Sequence, residues 1–477
     1  MRVMFVAPRG RRGRPKIMPR RPATEDAEHR LLAKGRALHD RGVIVMKFGG
    51  TSVGDARSIR QVVEIVRQQH SRQPVVVVSA HAGVTDALLA MAASATGGGA
   101  DTGAIAERHR TILRELGLPE DLLDPLLAEL QDLARGLRLV GAASPKALDL
   151  LASYGERCCA RTVAAALRAG GIPAQAIDAF AAGLRTDSAY GRARPLPDDG
   201  RILHALVAVQ GVPVVTGFIA SDEHGNITTL GRNGSDYSAA LFGVAVRAEE
   251  IQIWKDVDGV RTADPKLVPM AKPIRSMSFE EVCELASFGS KVLHPAAMVP
   301  AMTSGIPILV RNTQEPSAPG TRIEATAVKD RPAVRAIAHR TKMALVTVSS
   351  QRLVPQHAFL ARVFAELHEL SADIGPVAVS EAALTLALDE ATAEAALTRL
   401  GALGEVRIER DQAVVGVVGD PRAIEAGGAA AVFAALSAAG IPVRCGGQGA
   451  HGGTLAIVVP SSELRRTVTL LHERFFA

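Results

Sequence analysis

The sequence predicts an α/β protein with a mostly parallel, three-layer sheet up to about residue 325, followed by a smaller α+β region. Two observations predict the first part. Short apolar strands alternate with helical patterns, and residues 75–79 show no polar alternation, as in a strand that is buried on both faces. After Pro332 the pattern changes to strand-rich units. A chain of 477 residues also favours two or three domains over one core.

The first part alternates between strand and helix patterns along its whole length. An apolar run at 43–46 ends near two glycines, and Ile59, Val62, Val63 and Val66 then share one face of a helix. Further helices are predicted at 103–116 and 145–169, and further strands at 175–177, 212–218, 251–254 and 308–310. Strands joined in this way by helices are expected to be parallel neighbours.

The second part repeats a looser order of strands and helices. Strands are predicted at 344–349, 383–388, 413–418, 441–445 and 454–459, and helices at 358–367, 391–403, 429–439 and 462–475. Two tandem βαββ-type units are typical of a small-molecule sensing module. A plain α+β dimerisation domain would give the same pattern.

The formal net charge of +6 is confined to the N-terminus. Residues 1–42 contain 12 Lys or Arg and 4 Asp or Glu, a net charge of +8, which leaves the rest of the chain at −2. We interpret residues 1–42 as a basic, disordered extension, with a polyanion contact or a targeting role as the alternatives. No nucleic-acid partner is therefore expected for the folded part.

Composition also predicts the compartment. No apolar run approaches the roughly 18 residues that a membrane span requires, and the N-terminus lacks the pattern of a secretory signal. The cysteines show neither metal-binding spacing nor a disulfide framework. The sequence thus predicts a cytoplasmic protein with reduced thiols, no membrane partner and no metal-ligating residues.

The segment KFGGTS at residues 47–52 has the residue types of a phosphate-binding turn. Two adjacent glycines between a buried strand and a helix let backbone N–H groups close on an anion, while Lys47 and the hydroxyls add charge and donors. The lysine precedes the glycines, unlike the lysine of a P-loop. A plain tight turn would have the same pattern.

The segment GRNGSD at residues 231–236 leads into a predicted helix. Arg232 can hold a carboxylate through two parallel hydrogen bonds, and Ser235 can cap the helix and face an anion. Asp236 is either a simple helix cap or the group that holds lysines or Mg²⁺ in register for phosphoryl transfer.

Three further segments carry charge. Residues 253–266 follow a strand and contain Asp-Gly and Asp-Pro turns, so they form either a ligand-binding edge or a surface loop. Residues 288–295 place a lysine near a glycine, and we interpret His294 as structural. Glu156, within a helical pattern, is either a solvated charge or an acceptor for a substrate ammonium.

Together these segments resemble the aspartate kinase branch of the amino acid kinase family, from about residue 43 to the C-terminus. Six matching segments occur in family order: KFGGTSV at 47–53, VSAHAGVTDALL at 78–89, SYGER at 153–157, TTLGRNGSDYSAA at 228–240, IWKDVDGV at 253–260 with DP at 264–265, and FGSKVLHP at 288–295. The resemblance implies the three-layer amino acid kinase fold. It also implies transfer of the γ-phosphoryl group of ATP, with Mg²⁺, to the β-carboxylate of L-aspartate, the first step toward lysine, threonine and methionine.

The resemblance also implies a role for each matching residue. The catalytic residues would be Lys47 and Asp236. The substrate pocket would contain Ser79, Thr85, Glu156, Arg232, Asn233, Gly234 and Ser235. The nucleotide site would contain Lys47, Gly49, Gly50, Ser52, Lys255, Asp256, Arg261, Lys266, Lys291 and Val292. A carboxylate is already a nucleophile at neutral pH, so the enzyme has to supply positioning and charge neutralisation.

Some positions depart from the family pattern. Asp86 stands where asparagine is common, Asn233 replaces a glycine found in many members, and Arg261 stands where tyrosine is frequent. In the C-terminal region, Asp373 is two residues too far from Ser380 for the usual effector pattern, and the dipeptide at 375–376 interrupts the strand expected there.

Residues 335–477 resemble the tandem ACT domains of this family, so we predict domains at 1–42, 43–325 and 335–477. The resemblance implies feedback by an amino acid such as lysine or threonine, bound near Ser349, Ser380 and Glu381. It also implies a homo-oligomer, a dimer or tetramer, formed through these domains.

Two rival functions fit parts of the pattern. A kinase for another acid, such as glutamate or acetylglutamate, is disfavoured by the pairing of Glu156 with Arg232 and by the ACT repeats. A ligand-sensing or nucleic-acid-binding protein that has lost catalysis is disfavoured because Lys47, Arg232 and Asp236 are intact.

Overall fold

The computed structural model describes residues 42–95, 101–290, 292–325, 332–350, 355–449 and 452–476. Lys291 and nearly all of the predicted N-terminal extension lie outside these ranges. The predicted fold class is confirmed, because the described residues form a large, mostly parallel sheet up to residue 324 and an antiparallel sheet beyond residue 334.

The first sheet contains eight strands among the described residues, and a short hairpin accompanies it. The strands up to residue 324 are β1 Ile44–Phe48, β2 Pro74–Val78, β3 Ala174–Ile177, β4 Val212–Thr216, β5 Ile219–Ser221, β6 Ile227–Thr229, β7 Glu250–Lys255, β8 Ser276–Ser278, β9 Ile308–Asn312 and β10 Thr321–Glu324. The sheet order is β3-β4-β2-β1-β7-β9-β10-β8, in which only the β9–β10 pair is antiparallel, while β5 and β6 form the hairpin.

Helices cover both faces of this sheet. They are α1 Ala56–Gln68, α2 Val84–Ala95, α3 Gly103–Leu116, α4 Asp124–Val140, α5 Pro145–Ala169, α6 Arg201–Ala208, α7 Gly234–Ala245, α8 Phe279–Ser287 and α9 Pro295–Thr303, with short 3-10 turns at His70–Arg72 and Glu120–Leu123. One core packs α1 and α5 against the sheet, and the opposite core packs α6, α7, α8 and α9 against its other face. This is a three-layer arrangement.

Strand β1 lies near the middle of the sheet and contributes to both cores. Ile44, Met46 and Phe48 face the α1 side, whereas Val45 faces the α7 side. Because neighbouring residues of a strand point to opposite faces, Lys47 belongs to the α7 side. Strands β2, β4 and β3 lie on one side of β1, and β7, which comes later in the chain, pairs with its other side. The strand order therefore reverses at β1. Ligands of open parallel sheets bind beyond the strand ends at such a point.

The second sheet is antiparallel and has the order β12-β13-β11-β14-β16-β15. Its strands are β11 Val334–Ser349, β12 Val377–Val379, β13 Ala383–Asp389, β14 Glu405–Gly419, β15 Cys445–Gln448 and β16 Thr454–Pro460. Its helices are α10 Gln356–Glu369, α11 Glu390–Gly401, α12 Pro421–Ala423, α13 Ala429–Ala438 and α14 Leu464–Phe476, with a π turn at Ile424–Gly428 and a 3-10 turn at Ser461–Glu463.

Two long strands, β11 and β14, are shared by two βαββαβ units. The second half of β11 pairs with β13 and with the start of β14, while the second half of β14 pairs with β16 and with the start of β11. Lys342 and Asp411 have positive φ values of 58° and 55°, and the ladder between the two strands shifts register beside them. Each strand therefore bends where it passes from one unit to the other.

The C-terminal helix α14 contacts the loop that follows β7. Thr262 Oγ1 lies 2.9 Å from His472 Nε2, and Lys272 Nζ donates a 2.5 Å hydrogen bond to the carbonyl of Phe476. Ala263, Val268 and Ala271 share a core with α13 and α14. Helix α14 thus packs against the loop that follows β7 of the first sheet.

Within the described ranges, no helix combines the length and the apolar character needed to cross a bilayer.

Candidate active site

A buried cluster of three charges lies at the carboxyl ends of β1 and β7. Lys47 Nζ is 2.5 Å from Asp236 Oδ1, and Lys255 Nζ is 3.1 Å from Asp236 Oδ2. The side chains of Lys47 and Asp236 are 7% and 3% exposed. Burial opposes ionisation of Asp236, but the charges of the two lysines outweigh it and hold the pKa of this carboxyl below its ordinary value. The cluster carries two positive charges and one negative charge.

The ion pairs with Lys47 and Lys255 show that Asp236, in the first turn of α7, is not a simple helix cap. Asn233, the residue before α7, has φ of 56°, and its side chain makes no capping hydrogen bond. Asp236 lies in the first turn, where its carboxylate turns toward the lysines. A lone carboxylate at this depth would be costly, but a paired one holds both ammonium groups in fixed positions. The net positive charge suits an anionic ligand.

The glycine-rich turn between β1 and α1 lies against the following strands. Gly49 N–H donates to the carbonyl of Trp254, and a Cβ at position 50 would lie 3.0 Å from the carbonyl oxygen of Ala80. A side chain at position 50 would therefore crowd the close approach of this turn to the segment after β2. The hydroxyl of Ser52 is already engaged, since it donates to Trp254 O and lies 2.7 Å from Thr313 Oγ1.

Glu156 projects from α5 and is buried. Its Oε1 accepts a 3.1 Å hydrogen bond from Ala80 N–H, whereas its Oε2 has no hydrogen-bond partner among the described residues. Burial raises the pKa of Glu156 to about 8, against the backbone hydrogen bonds and the charge of Lys47. An unpartnered carboxylate oxygen is expensive in a protein interior, and a cationic or N–H donor from a ligand would satisfy it.

The close approach of α5 to the β2–α2 loop depends on the residue before Glu156. A Cβ at Gly155 would lie 2.7 Å from the Cβ of Ala80, which is closer than real side chains approach. The small residue lets Glu156 reach the loop. Ser79 and Thr85 lie near the two ends of this loop and are half-buried.

Arg232 lies two residues before α7 and is exposed. Among the described residues, no carboxylate comes within ion-pair distance of it. Together with Arg192, Arg194 and Tyr237 it lines a cleft of about 310 Å³. Three guanidinium groups around one cleft favour an acidic ligand. A larger cleft of about 1260 Å³ between α6, α7 and α9 contains none of the predicted site residues, so size alone does not locate the site.

The predicted nucleotide residues divide into two groups. Lys255 lies in the charged cluster and donates a 2.6 Å hydrogen bond to Val292 O, which brings Val292 to the same edge. Arg261 and Lys266 instead lie on the loop after β7. Arg261 pairs with Asp258 at 2.7 Å, and the Lys266 carbonyl accepts from Arg465 of α14. Asp256 is exposed at the start of this loop.

Some site residues were not predicted from the sequence. Thr313 holds the Ser52 hydroxyl, and Asn312 donates to Asp258 at 2.6 Å. Both lie at the carboxyl end of β9, a strand that was predicted, so the strand-end rule applied to β9 would have identified them. His294, interpreted as structural, caps α9 through its Nδ1 atom and is exposed.

The predicted effector residues lie at the end of β11 and in the turn that joins β12 to β13. Ser349 ends β11, and Ser380 and Glu381 form the exposed turn between β12 and β13. Ser380 exchanges hydrogen bonds with Ala383, and its carbonyl accepts from Gln356. Asp373 pairs with Arg340 at 3.0 Å. Strand β12 begins directly after the Gly-Pro dipeptide at 375–376, so this dipeptide shortens the expected strand but does not remove it.

Comparison with known protein families matches residues 42–312 to the amino acid kinase family. Comparison with characterised proteins finds similarity to the lysine-sensitive aspartokinase 3 of Escherichia coli, 35% identical over 91% of this chain and 99% of that protein. The chain is also similar to the chloroplastic aspartokinase 1 of Arabidopsis thaliana, 31% identical over 91% of this chain and 80% of that protein.

Comparison with solved structures also finds similarity to an aspartokinase. The fold is similar to Escherichia coli aspartokinase III in complex with aspartate and ADP in its R-state, with a TM-score of 0.76, 33% identity and coverage of 91% of this chain and 100% of that one.

Proposed function

The chain belongs to the amino acid kinase family and, within it, to the aspartokinases, and we propose on this ground that its site transfers the γ-phosphoryl group of ATP to the β-carboxylate of L-aspartate. The product is 4-phospho-L-aspartate, which leads toward lysine, threonine and methionine. The observation that carries this assignment to particular residues is the buried Lys47–Asp236–Lys255 cluster beside the unpartnered carboxylate oxygen of Glu156.

The charged cluster supplies what phosphoryl transfer needs. Lys47 and Lys255 neutralise charge that develops on the transferred group and on the leaving phosphate, and Asp236 keeps both ammonium groups fixed before the substrate arrives. The Gly49 N–H is engaged with the carbonyl of Trp254, so we assign the backbone contact with phosphate to Gly50, while Gly49 keeps the turn close to Lys47. We infer that Ser52 acts mainly by holding this turn to Trp254 and Thr313, because its hydroxyl is engaged in those contacts.

The acid pocket is assigned to the other side of the cluster. Glu156 Oε2 accepts from the α-ammonium group of aspartate, and Arg232 binds the α-carboxylate. A zwitterion held at both ends leaves its β-carboxylate free to attack. This carboxylate needs no general base at neutral pH, so binding and orientation supply most of the catalysis. Ser79, Thr85, Asn233, Gly234 and Ser235 complete the pocket in this proposal.

Magnesium is proposed to enter as part of the nucleotide substrate. Within the described ranges, no group of three or more His, Cys, Asp or Glu side chains could hold a metal ion, and both oxygens of Asp236 face lysines. These residues do not form a resident magnesium site. Mg²⁺ commonly binds through substrate phosphates, water and one or two carboxylates, which fits entry as MgATP.

We assign catalysis to residues 43–325 and regulation to residues 335–477. One structure of the Escherichia coli relative holds lysine and aspartate in a T-state, with a TM-score of 0.75, 33% identity and coverage of 91% of this chain and 100% of that one. On this basis we propose lysine as the effector of this chain, with Ser349, Ser380 and Glu381 near its site. A homo-oligomer formed through the second sheet is part of the same proposal.

The assignment is tested by measuring ADP release from MgATP by the purified protein with L-aspartate, L-glutamate or N-acetyl-L-glutamate as the acceptor. Hydroxylamine added to the same reactions traps an acyl phosphate as a hydroxamate. We expect both ADP and hydroxamate with aspartate, and neither with the Asp236→Asn variant. Faster ADP release with glutamate or acetylglutamate than with aspartate would contradict the proposal.

A further inference from the structure

The loop between β2 and α2 is tied to both sides of the active site. On one side, Ala80 N–H donates to Glu156 Oε1 at 3.1 Å. On the other side, Ala82 N–H donates a 3.1 Å hydrogen bond to the carbonyl of Gly50. The loop therefore connects the carboxylate of the acid pocket with the turn of the phosphate site.

His81, between these two residues, makes a side-chain contact to the same turn. Its Nδ1 atom hydrogen-bonds the carbonyl of Val53, the residue after Ser52, and the imidazole is 1% exposed. A carbonyl only accepts, so Nδ1 carries the proton and His81 is the Nδ1–H tautomer. Burial lowers the pKa of His81 to about 4, which agrees with a neutral ring at physiological pH.

The other side of the ring does not hold the loop. His81 Nε2 has no hydrogen-bond partner among the described residues. The neighbouring ring of His109 is also buried, and the two ring centroids are 5.2 Å apart at an angle of 56°. Burial lowers the pKa of His109 to about 3. Two neutral rings pack together here, and a single directed bond, from Nδ1, reaches the active-site turn.

We propose that His81 is a positioning residue for phosphoryl transfer: its Nδ1–H bond to Val53 fixes the β2–α2 loop, and through that loop Glu156, at a set distance from the glycine-rich turn. Without the bond, the loop keeps its backbone tie at Ala82 but loses the side-chain tie. The acid pocket then shifts against the phosphate site, and a misplacement of about 1 Å can cost about 100-fold in rate.

The nucleotide side has its own supports and is expected to change little. Gly49 bonds to Trp254, and Ser52 bonds to both Trp254 and Thr313, independently of His81. Loss of the His81 bond should therefore raise the KM for aspartate and lower kcat, while the Kd for MgADP stays nearly constant. A residue that only filled the core would lower the folded fraction and with it the apparent kcat, but would leave the KM for aspartate and the Kd for MgADP unchanged.

Two near-isosteric variants test the proposal, which rests on the proposed kinase activity. An asparagine amide nitrogen occupies the place of Nδ1, and a glutamine amide nitrogen the place of Nε2. We expect His81→Asn to keep kcat/KM for aspartate within about threefold of the wild type, and His81→Gln and His81→Leu to lower it by about 10- to 100-fold. MgADP binding, measured by calorimetry, reports on the nucleotide side without turnover.

The matched control is the same pair of substitutions at His109, which is equally buried but makes no bond to the turn. His109→Asn and His109→Gln should behave alike. The proposal would be overturned if the wild type is active but His81→Asn is impaired as much as His81→Gln. It would also be overturned if the variants lose affinity for MgADP in parallel with aspartate turnover. A wild type without aspartate-dependent turnover would overturn the proposed function, and the inference with it.

Discussion

The two sheets place their ligand-binding candidates in opposite environments. In the first sheet, Lys47, Asp236 and Lys255 come from distant parts of the chain and form a cluster of paired charges, with the buried carboxyl of Glu156 beside it. In the second sheet, Ser380 and Glu381 occupy an exposed turn that is held by hydrogen bonds within the turn and by one from Gln356. A site for chemistry has its charges fixed before the substrate arrives, whereas a site for sensing can remain exposed and adjust on binding.

The largest effect is expected when the charge of Lys47 is removed from the buried cluster, which has no counterpart in the exposed turn. Lys47→Ala should lower kcat by about 10³-fold or more, because it removes the ammonium group that we propose neutralises the developing phosphoryl charge. Asp236 keeps only Lys255, so the free energy of unfolding should also fall by about 3 kcal/mol. Steady-state kinetics and denaturant unfolding measure both effects. The exposed Lys146 in the first turn of α5 provides the control, since Lys146→Ala should leave both quantities unchanged. A kcat within tenfold of wild type for Lys47→Ala would remove its assigned role.

The next effect concerns Arg232, the exposed residue proposed to bind the α-carboxylate of aspartate. Arg232→Ala should raise the KM for aspartate by about 30- to 100-fold, which corresponds to the loss of a charged hydrogen-bonded pair, and should change the KM for ATP little. Substrate-variation kinetics separate the two constants. Arg201→Ala removes an exposed arginine at the start of α6, paired with Asp199 just before the helix, and should change neither constant. An equal rise in both constants would contradict the assignment.

A smaller effect is expected from pH. The pKa of Glu156 is raised to about 8 in the ligand-free protein, so the carboxyl is mostly protonated at pH 7 and must release its proton to accept an ammonium group. Affinity for aspartate should therefore rise as pH increases from about 6.5 to about 8.5, by about 25-fold, with proton release on binding near pH 7. Calorimetry in buffers of different ionisation enthalpy detects that proton. Glu156→Gln should bind aspartate weakly and lose this pH dependence, and a dependence retained in that variant would assign it to another group.

The smallest effect is predicted for the exposed turn of the second sheet. Glu381→Gln should leave the uninhibited kcat unchanged and raise the lysine concentration for half-inhibition by a few-fold, as expected for one exposed charge. Inhibition curves with lysine, with threonine and with both measure this. Glu369→Gln, at the exposed end of α10, serves as the matched control. Absence of lysine inhibition in the wild type would show that the exposed turn does not sense lysine.

The sequence predicted elements with strong local patterns and missed elements that depend on distant partners. Helices at 103–116 and 145–169 were predicted with their observed limits, because their apolar periodicity is strong and the second has Ser144 and Pro145 at its start. The first half of β11 was not predicted, since its partner lies in β14, some 80 residues away in the chain. Helix α4 was also missed, although Pro125 and Gly141 mark its ends.

The site could be predicted only in part, for a related reason. Lysines and a carboxylate near strand ends follow from the pattern, but their pairing at 2.5 and 3.1 Å depends on how α7 packs beside β1 and β7. The bond from His81 to Val53 has no sequence signature, because a histidine in an apolar stretch has the same pattern whether or not it holds a turn. Contacts of this kind depend on tertiary packing, which local periodicity does not encode.

The contact between α14 and the loop after β7 has a consequence for synthesis of the chain. Thr262 and Lys272 are translated some 200 residues before His472 and Phe476, which bond to them. Until the last helix leaves the ribosome, the apolar side chains of that loop, Ala263, Val268 and Ala271, lack part of the core that covers them. The early-made sheet can assemble first, but its loop acquires its final packing only after α14 has been made. A nascent chain that still lacks α14 is therefore expected to expose this surface to chaperones.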